Sequence, residues 1–247
     1  MVTVSSPSQS AEAGQPLTPE QVTTFYREGY ILVRGLVPQS SIDAVLEAAR
    51  PHYETDQADK ENKGWQAKIF DLKDPSKDRA WHRLFFEPSV IDAVEQIFEA
   101  PARIFFGMLA VVPPHGGKGL PWHQDNMYTT VLGRALNTFV AISEITPEKA
   151  NLWVVPRSHT RGVLESGDSK DYGGSHREAV VDETQALQLP TLQPGDVCIF
   201  DRNTLHRSLT NQTDSPRYAY AAQYQEAKAR MAETGEPNGA PLARDLI

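Results

Sequence analysis

The segment Trp122-His123-Gln124-Asp125 places an imidazole and a carboxylate two residues apart. On a β-strand, residues i and i+2 point to one face, so His123 and Asp125 can converge on one point in space. A lone His-x-Asp is weak evidence, because the pattern arises by chance in many chains. A second histidine, His206, lies 81 residues beyond Asp125, after the turn Pro194-Gly195-Asp196 and the apolar run 197–200. Two His and one Asp form a facial triad that leaves three coordination positions open, the pattern of non-haem Fe(II) oxygenases. The open positions suit a bidentate 2-oxo acid and O2. Arg217 follows His206 by 11 residues, across the turn 211–216. It would present a planar guanidinium fork beside a metal-bound imidazole, and such a fork grips a carboxylate bidentately.

These residues need strands to hold them. From about Arg103, short β-type runs alternate with Gly, Pro, Asn and Asp turns: IFFGMLAVV, MYTTVL, LNTFVAIS, LWVV, AVV, ALQL, DVCIF, HRSL and YAYAAQY. Many short strands with such punctuation predict a sandwich, barrel or jelly roll. No helix-length pattern separates them, which argues against a parallel doubly wound sheet. Helices come first. Thr18-Pro19-Glu20-Gln21 reads as an N-cap, a proline at the first helical position and a glutamine closing a capping box, with Gly29 as the stop. Residues 30–37 read as a buried strand. Ser40 opens a second amphipathic helix through Ile42, Val45, Leu46 and Ala49, and a third is predicted over 88–98. The polar, Gly-rich segment 157–178 is a candidate lid.

Composition narrows the class. The 247 residues carry 24 Lys+Arg against 32 Asp+Glu, a net charge of −8, which argues against nucleic acid as a partner. No apolar run approaches the ~18 residues of a membrane helix. The single cysteine, Cys198, rules out an internal disulfide framework and a thiolate metal site, so any metal must be held by imidazole and carboxylate. Residues 1–16 read as a disordered tail with no signal-peptide pattern, 17–230 as one domain, and 231–247 as a loose tail. The expected compartment is the cytoplasm. Nothing in the sequence specifies an oligomeric state.

Taken together, the chain resembles the phytanoyl-CoA dioxygenase family of Fe(II)/2-oxoglutarate-dependent oxygenases. The resemblance runs from Leu17 to Tyr224. It rests on LTPEQVTTFYREGYILVRGLV at the start, WHQD with Tyr128 three residues after the aspartate, LWVVPRSHTRG, and GDVCIFDRNTLHRSLTNQTDSPR with its His-to-Arg spacing. It implies a mainly β fold with flanking helices around a double-stranded β-helix (jelly-roll, cupin-like) core. It also implies His123, Asp125 and His206 as iron ligands, and Arg217 and Ser208 on the far carboxylate of 2-oxoglutarate. Lys68 falls where some relatives have a lysine near the co-substrate. The implied activity oxidises, and most simply hydroxylates, a C–H bond of a small molecule with O2. Succinate and CO2 are the co-products, ascorbate serves as reductant in assays, and desaturation, epoxidation or ring closure are reachable by the same chemistry. Relatives that halogenate lack the carboxylate, so Asp125 argues for oxygen chemistry. The chain departs from the family twice, with Lys149-Ala150 where Asn-Gly is usual and Arg157 where Gly is usual.

Other residues read two ways. Tyr128, Met108 and Trp153, and more weakly Phe70 and Phe106, are either substrate-pocket lining or jelly-roll core, because the strand register is open. Arg202 either reaches the site mouth or is a solvated charge. His159 reads as a turn residue, and Cys198 as a buried inert thiol. With no Lys/Arg cluster to clamp a CoA, a free natural product or modified amino acid is the expected substrate. Three alternatives stay open: an acyl-CoA hydroxylase of the same family, a cupin-like metalloenzyme that uses no 2-oxo acid, and a non-catalytic jelly-roll binding protein.

Overall fold

The computed structural model describes residues 15–55, 66–71, 74, 79–171 and 176–247. Helix α1 (Pro19–Glu28) forms as its ends dictate: Gln21 N–H donates to Thr18 Oγ1 at 3.2 Å and Thr18 N–H to Gln21 Oε1 at 2.7 Å. Gly29 ends it at φ 82°, and a Cβ there would also collide with the His159 ring. Strand β1 (Tyr30–Val33) is shorter than the predicted 30–37. The chain turns at Gly35, whose N–H and the neighbouring Arg34 guanidinium are both held by the Asp196 carboxylate. Helices α2 (Gln39–Thr55) and α3 (Pro88–Phe98) lie where the amphipathic patterns put them.

The rest is β. The further strands are β2 (Gln66–Ile69), β3 (Ala102–Val112), β4 (Val131–Leu132), β5 (Ala135–Ala141), β6 (Leu152–Val154), β7 (Ser166–Asp168), β8 (Arg177–Ala179), β9 (Leu187–Gln188), β10 (Val197–Asp201), β11 (His206–Ser208), β12 (Arg217–Glu226) and β13 (Arg230–Met231). Six pair antiparallel in the order β1-β10-β5-β12-β3-β2, and three more in the order β11-β6-β9. The fold is the double-stranded β-helix, mainly β with helices against one side. Two predicted runs are trimmed. Only residues 131–132 of MYTTVL pair, because Asp125–Met127 is a 3-10 turn. In AVV only Ala179 pairs, and Val180 is fully exposed.

Side-chain alternation along the six-stranded sheet sorts the core into two. Leu109, Val140, Ile199, Tyr220 and Tyr224 face the helices and are buried in one cluster with Phe25, Ile42, Val90 and Ile97. The opposite face carries Phe139, Cys198, Phe200 and Ala219, which pack with Leu152 and Val154 of the smaller sheet. Each such apolar side chain contributes about 1.5–3 kcal/mol on burial. The second face is also polar at chosen points, with Asn137 on β5 and Arg217 and Gln223 on β12, and those points define the site.

The C-terminal stretch is not loose, contrary to the sequence reading. Leu242 bridges to Arg103, Ala243 is fully buried, and Arg244 pairs with Asp92 and Glu95 of α3 at 2.6 Å each. The polar composition of 233–243 hid a segment that is anchored by its last residues. Among the described residues, no helix is long and apolar enough to cross a membrane.

Candidate active site

His123 and His206 meet through the backbone. Each donates its N–H to the other's carbonyl at 3.0 Å, a hydrogen-bonded antiparallel pair that puts both rings on one face with centroids 4.2 Å apart. His-x-Asp is not a regular strand, as the sequence suggested. Asp125 opens the 3-10 turn, and the extended Gln124 between them (φ −116°, ψ 139°) is what keeps the two side chains together. The Gln124 side chain fixes that conformation: it is fully buried, donates to Gly162 O and Asn203 O, and accepts from Leu164 N–H.

Each histidine points its Nδ1 to a carbonyl two residues back, His123 to Pro121 at 2.7 Å and His206 to Thr204 at 2.9 Å. That leaves both Nε2 atoms facing Asp125, at 3.8 Å from Oδ1 and Oδ2 respectively. These gaps are too long for hydrogen bonds, and one ion with bonds of about 2 Å spans them. Burial, with the neighbouring His206 adding to it, pushes the His123 imidazole down to about 4, which keeps it neutral, as a metal ligand must be. The three residues form the one His/Cys/Asp/Glu group among the described residues with metal-binding geometry.

Two chambers open from this point. An inner one of about 80 Å³ is lined by Asn137, Phe139, Leu152, Ser208 and Arg217, together with the triad. An outer one of about 350 Å³ is lined by Phe105, Phe106, Tyr128, His176 and Arg202. Met108, Leu120 and Gln223 line both. Small residues make the inner space: Ala221 lies on its floor, and at Gly119 a Cβ would run into the Ser208 carbonyl and hydroxyl. Arg217 is 4% exposed. It donates through Nη1 to Ala150 O at 3.3 Å, its Nε has no partner among the described residues, and burial pushes it down to about 10. A buried cation with spare donors and no acid beside it among the described residues fits an anionic ligand. The His/Asp/His donor set fits a divalent first-row metal.

Several expectations change. Trp153 lines neither chamber. Leu152 takes the inward position, and Trp153 turns to the other face of β6, where its ring and that of Trp122 flank the Arg207 guanidinium. Phe70 is core, edge-on to His82 and Phe85 at 5.2 Å. Arg202 is no solvated charge: it is 2% exposed, stacked over Phe105 at 4.5 Å, and donates to Asp125 O and Thr129 O. Met108, Phe106 and the half-exposed Tyr128 do line the outer chamber. Lys68 sits on β2 opposite Leu109, and its side chain lies outside the described residues. His159 takes a turn position, its Nε2 paired with Tyr26 O.

Both family departures fall at left-handed backbone positions, Ala150 at φ 48° and Arg157 at φ 63°. Such a conformation costs an L-residue about 1–2 kcal/mol. At Arg157 a new contact offsets it, since the guanidinium and backbone N–H both bond Glu28, at 3.0 and 2.7 Å. At Ala150 the strained carbonyl is the one that accepts from Arg217.

Asn137 went unnoticed in the sequence. Its Nδ2 donates to Asp125 Oδ2, while its buried Oδ1 has no partner among the described residues. The available signal was an Asn-Thr pair inside an otherwise apolar strand. Outer partners of metal ligands are worth about 10–100-fold in metal affinity. Asn137→Leu should therefore weaken Fe(II) or Co(II) binding by about that factor in a metal titration, and unchanged affinity would remove Asn137 from this role.

A double-stranded β-helix with two histidines and an aspartate at its mouth defines a metal-binding class of this fold. Residues 25–219 match the family model for phytanoyl-CoA dioxygenase (PhyH), so the chain belongs to that family. It is 32% identical over 132 residues to the mouse phytanoyl-CoA dioxygenase domain-containing protein 1, a match that covers 49% of this chain and 44% of that protein. The chain thus matches less than half the length of that relative. It is 25% identical over 228 residues to an ectoine dioxygenase of Sphingopyxis alaskensis, covering 82% of this chain and 74% of that one. In structure it superposes on SnoK, a non-heme alpha-ketoglutarate-dependent carbocyclase from nogalamycin biosynthesis. There the TM-score is 0.70 at 18% identity, covering 91% and 94% of the two chains.

Proposed function

We propose that the protein is an Fe(II)- and 2-oxoglutarate-dependent oxygenase acting on a free small organic molecule of specialised metabolism. The observation that carries this is the buried, acid-free Arg217 in the same chamber as the His123–Asp125–His206 group. When bound, iron and 2-oxoglutarate supply O2 activation coupled to decarboxylation, giving succinate and CO2 as a substrate C–H is oxidised. His123, Asp125 and His206 would hold the metal on one face and leave the other open. Arg217 and Ser208 would hold the far carboxylate of the 2-oxo acid, a role that a metalloenzyme working without one would not need. Asn137 would fix which Asp125 oxygen faces the metal. Phe139 and Leu152 would keep water from the inner chamber. Relatives named for ectoine and for nogalamycin biosynthesis support a small-molecule substrate. The outer chamber's volume suits one as well.

Purified protein given Fe(II), ascorbate, O2 and 2-oxoglutarate should release succinate, and faster as the right substrate is added. Under argon, Fe(II) and 2-oxoglutarate together should give a visible charge-transfer absorption that neither gives alone. Failure to bind either one would overturn the reading.

A further inference from the structure

We propose that the outer chamber is built for a substrate carrying one anionic oxygen group, a carboxylate or an equivalent acid, on an apolar body. This deepens the oxygenase reading and rests on it for where the reacting bond lies. The first observation is charge. Among the described residues, three ionic groups lining the two chambers make no direct ion pair: the carboxylate of Asp125 and the guanidinium groups of Arg202 and Arg217. A divalent metal and a 2-oxoglutarate dianion cancel each other, so these lining groups carry one positive charge in excess whether or not the two are bound. Arg207 adds nothing to that count, because Glu183 neutralises it through two bonds of 2.7 and 3.0 Å. Asp201 lines neither chamber and caps the Asn203 N–H; it attracts Arg202 through space without a hydrogen bond, and burial raises its carboxyl.

The second observation is an excess of donors. Arg202 is almost wholly buried, yet every acceptor it has among the described residues is neutral: Asn126 Oδ1 at 3.0 Å, Asp125 O at 3.2 Å, Thr129 O at 2.9 Å, and Gln223 Oε1. A guanidinium has five N–H groups, so one on Nη1 is still unused. Gln223 accepts through Oε1, and its amide N–H groups have no acceptor among the described residues. Tyr128 Oη accepts from the Arg177 N–H at 3.1 Å and keeps its own hydrogen to give. Apart from Asp125, which the metal would occupy, no carboxylate among the described residues lines this space. Buried donors and an unbalanced cation call for an acceptor that carries charge, and a cationic ligand would be repelled. The remaining wall is Phe105, Phe106, Met108 and Leu120, which suits an apolar or aromatic body.

The test uses metal-loaded protein under argon with saturating 2-oxoglutarate, which blocks Arg217. Benzoate, cinnamate and indole-3-acetate are each compared with their primary amides by calorimetry and ligand-observed NMR. At least one acid should bind about tenfold or more tightly than its amide. In Gln223→Glu the new carboxylate meets Arg202 where the amide oxygen did, and the leftover charge is gone. The acid-to-amide preference should then collapse to about one, whereas a merely structural loss would weaken acid and amide alike. If no acid outbinds its amide, or if Gln223→Glu leaves the preference intact, the proposal is wrong. Metal and 2-oxoglutarate titrations on the same samples keep the two failures apart. Lost cofactor binding sinks the oxygenase reading, and normal cofactor binding without acid preference sinks only this one. If cofactor binding is lost, the same comparison run on unloaded Arg217→Met protein still decides the acid preference.

Discussion

His206→Ala is expected to abolish iron-dependent 2-oxoglutarate turnover, by at least about a thousandfold, since even the partners of ligating histidines are worth about 10–100-fold. The ring leaves, and with it one of the three donors that converge at this point among the described residues. The fold should survive. What pairs the 206 and 123 positions is the reciprocal backbone bond at 3.0 Å, which alanine keeps. The His206 ring does pack on Phe200 at 4.6 Å, so a modest drop in melting temperature accompanies the substitution. His123→Ala should behave alike. Succinate release and Fe(II) titration on the folded variant, checked by circular dichroism, decide the matter. Turnover near the level of the unmodified protein would falsify the ligand assignment.

Arg217→Met should have two effects of opposite sign. Burial alone pushes this guanidinium down to about 10, which corresponds to a burial penalty on the order of 3 kcal/mol in the ligand-free protein. The one hydrogen bond this guanidinium makes among the described residues, to Ala150 O at 3.3 Å, returns little of that. Methionine keeps the volume and the contact with Phe139, whose ring centre lies 5.3 Å from the guanidinium carbon. The ligand-free variant should therefore melt several degrees higher. Its 2-oxoglutarate dissociation constant should rise by about two orders of magnitude, the scale of a lost charge-assisted pair. Thermal melts and calorimetry read the two effects separately. A variant that is less stable and binds 2-oxoglutarate as before would show that Arg217 is there for the fold.

These expectations depend on features that were unequally legible in the sequence. The first helix could be read because its capping box is a local pattern, and the structure realises both of its hydrogen bonds. His123, Asp125, His206 and Arg217 could be read because motif and spacing carry them. Asn137, Gln124 and Gln223 could not, since each acts through partners 12 or more residues away that only the folded strands bring near. Trp153 and Phe70 stayed undecided between pocket and core for one reason. A pocket residue and a core residue of the same type differ only in which face of the strand they take, and register is a property of the pairing, not of the residue. Arg202 stayed open between site mouth and solvated charge, because four neutral oxygens, scattered from Asp125 to Gln223, are what bury it.

The backbone pairing of His123 with His206 has one more consequence, for how the molecule could be assembled. A cut at the exposed Gly162 would yield two polypeptides, neither with a full coordination set: one holds His123 and Asp125, the other His206, Ser208 and Arg217. They would still share a sheet, because β10 and β12 of the second piece insert between β1, β5 and β3 of the first. In such a split protein the metal becomes a reporter of reunion, captured only when the halves have found each other.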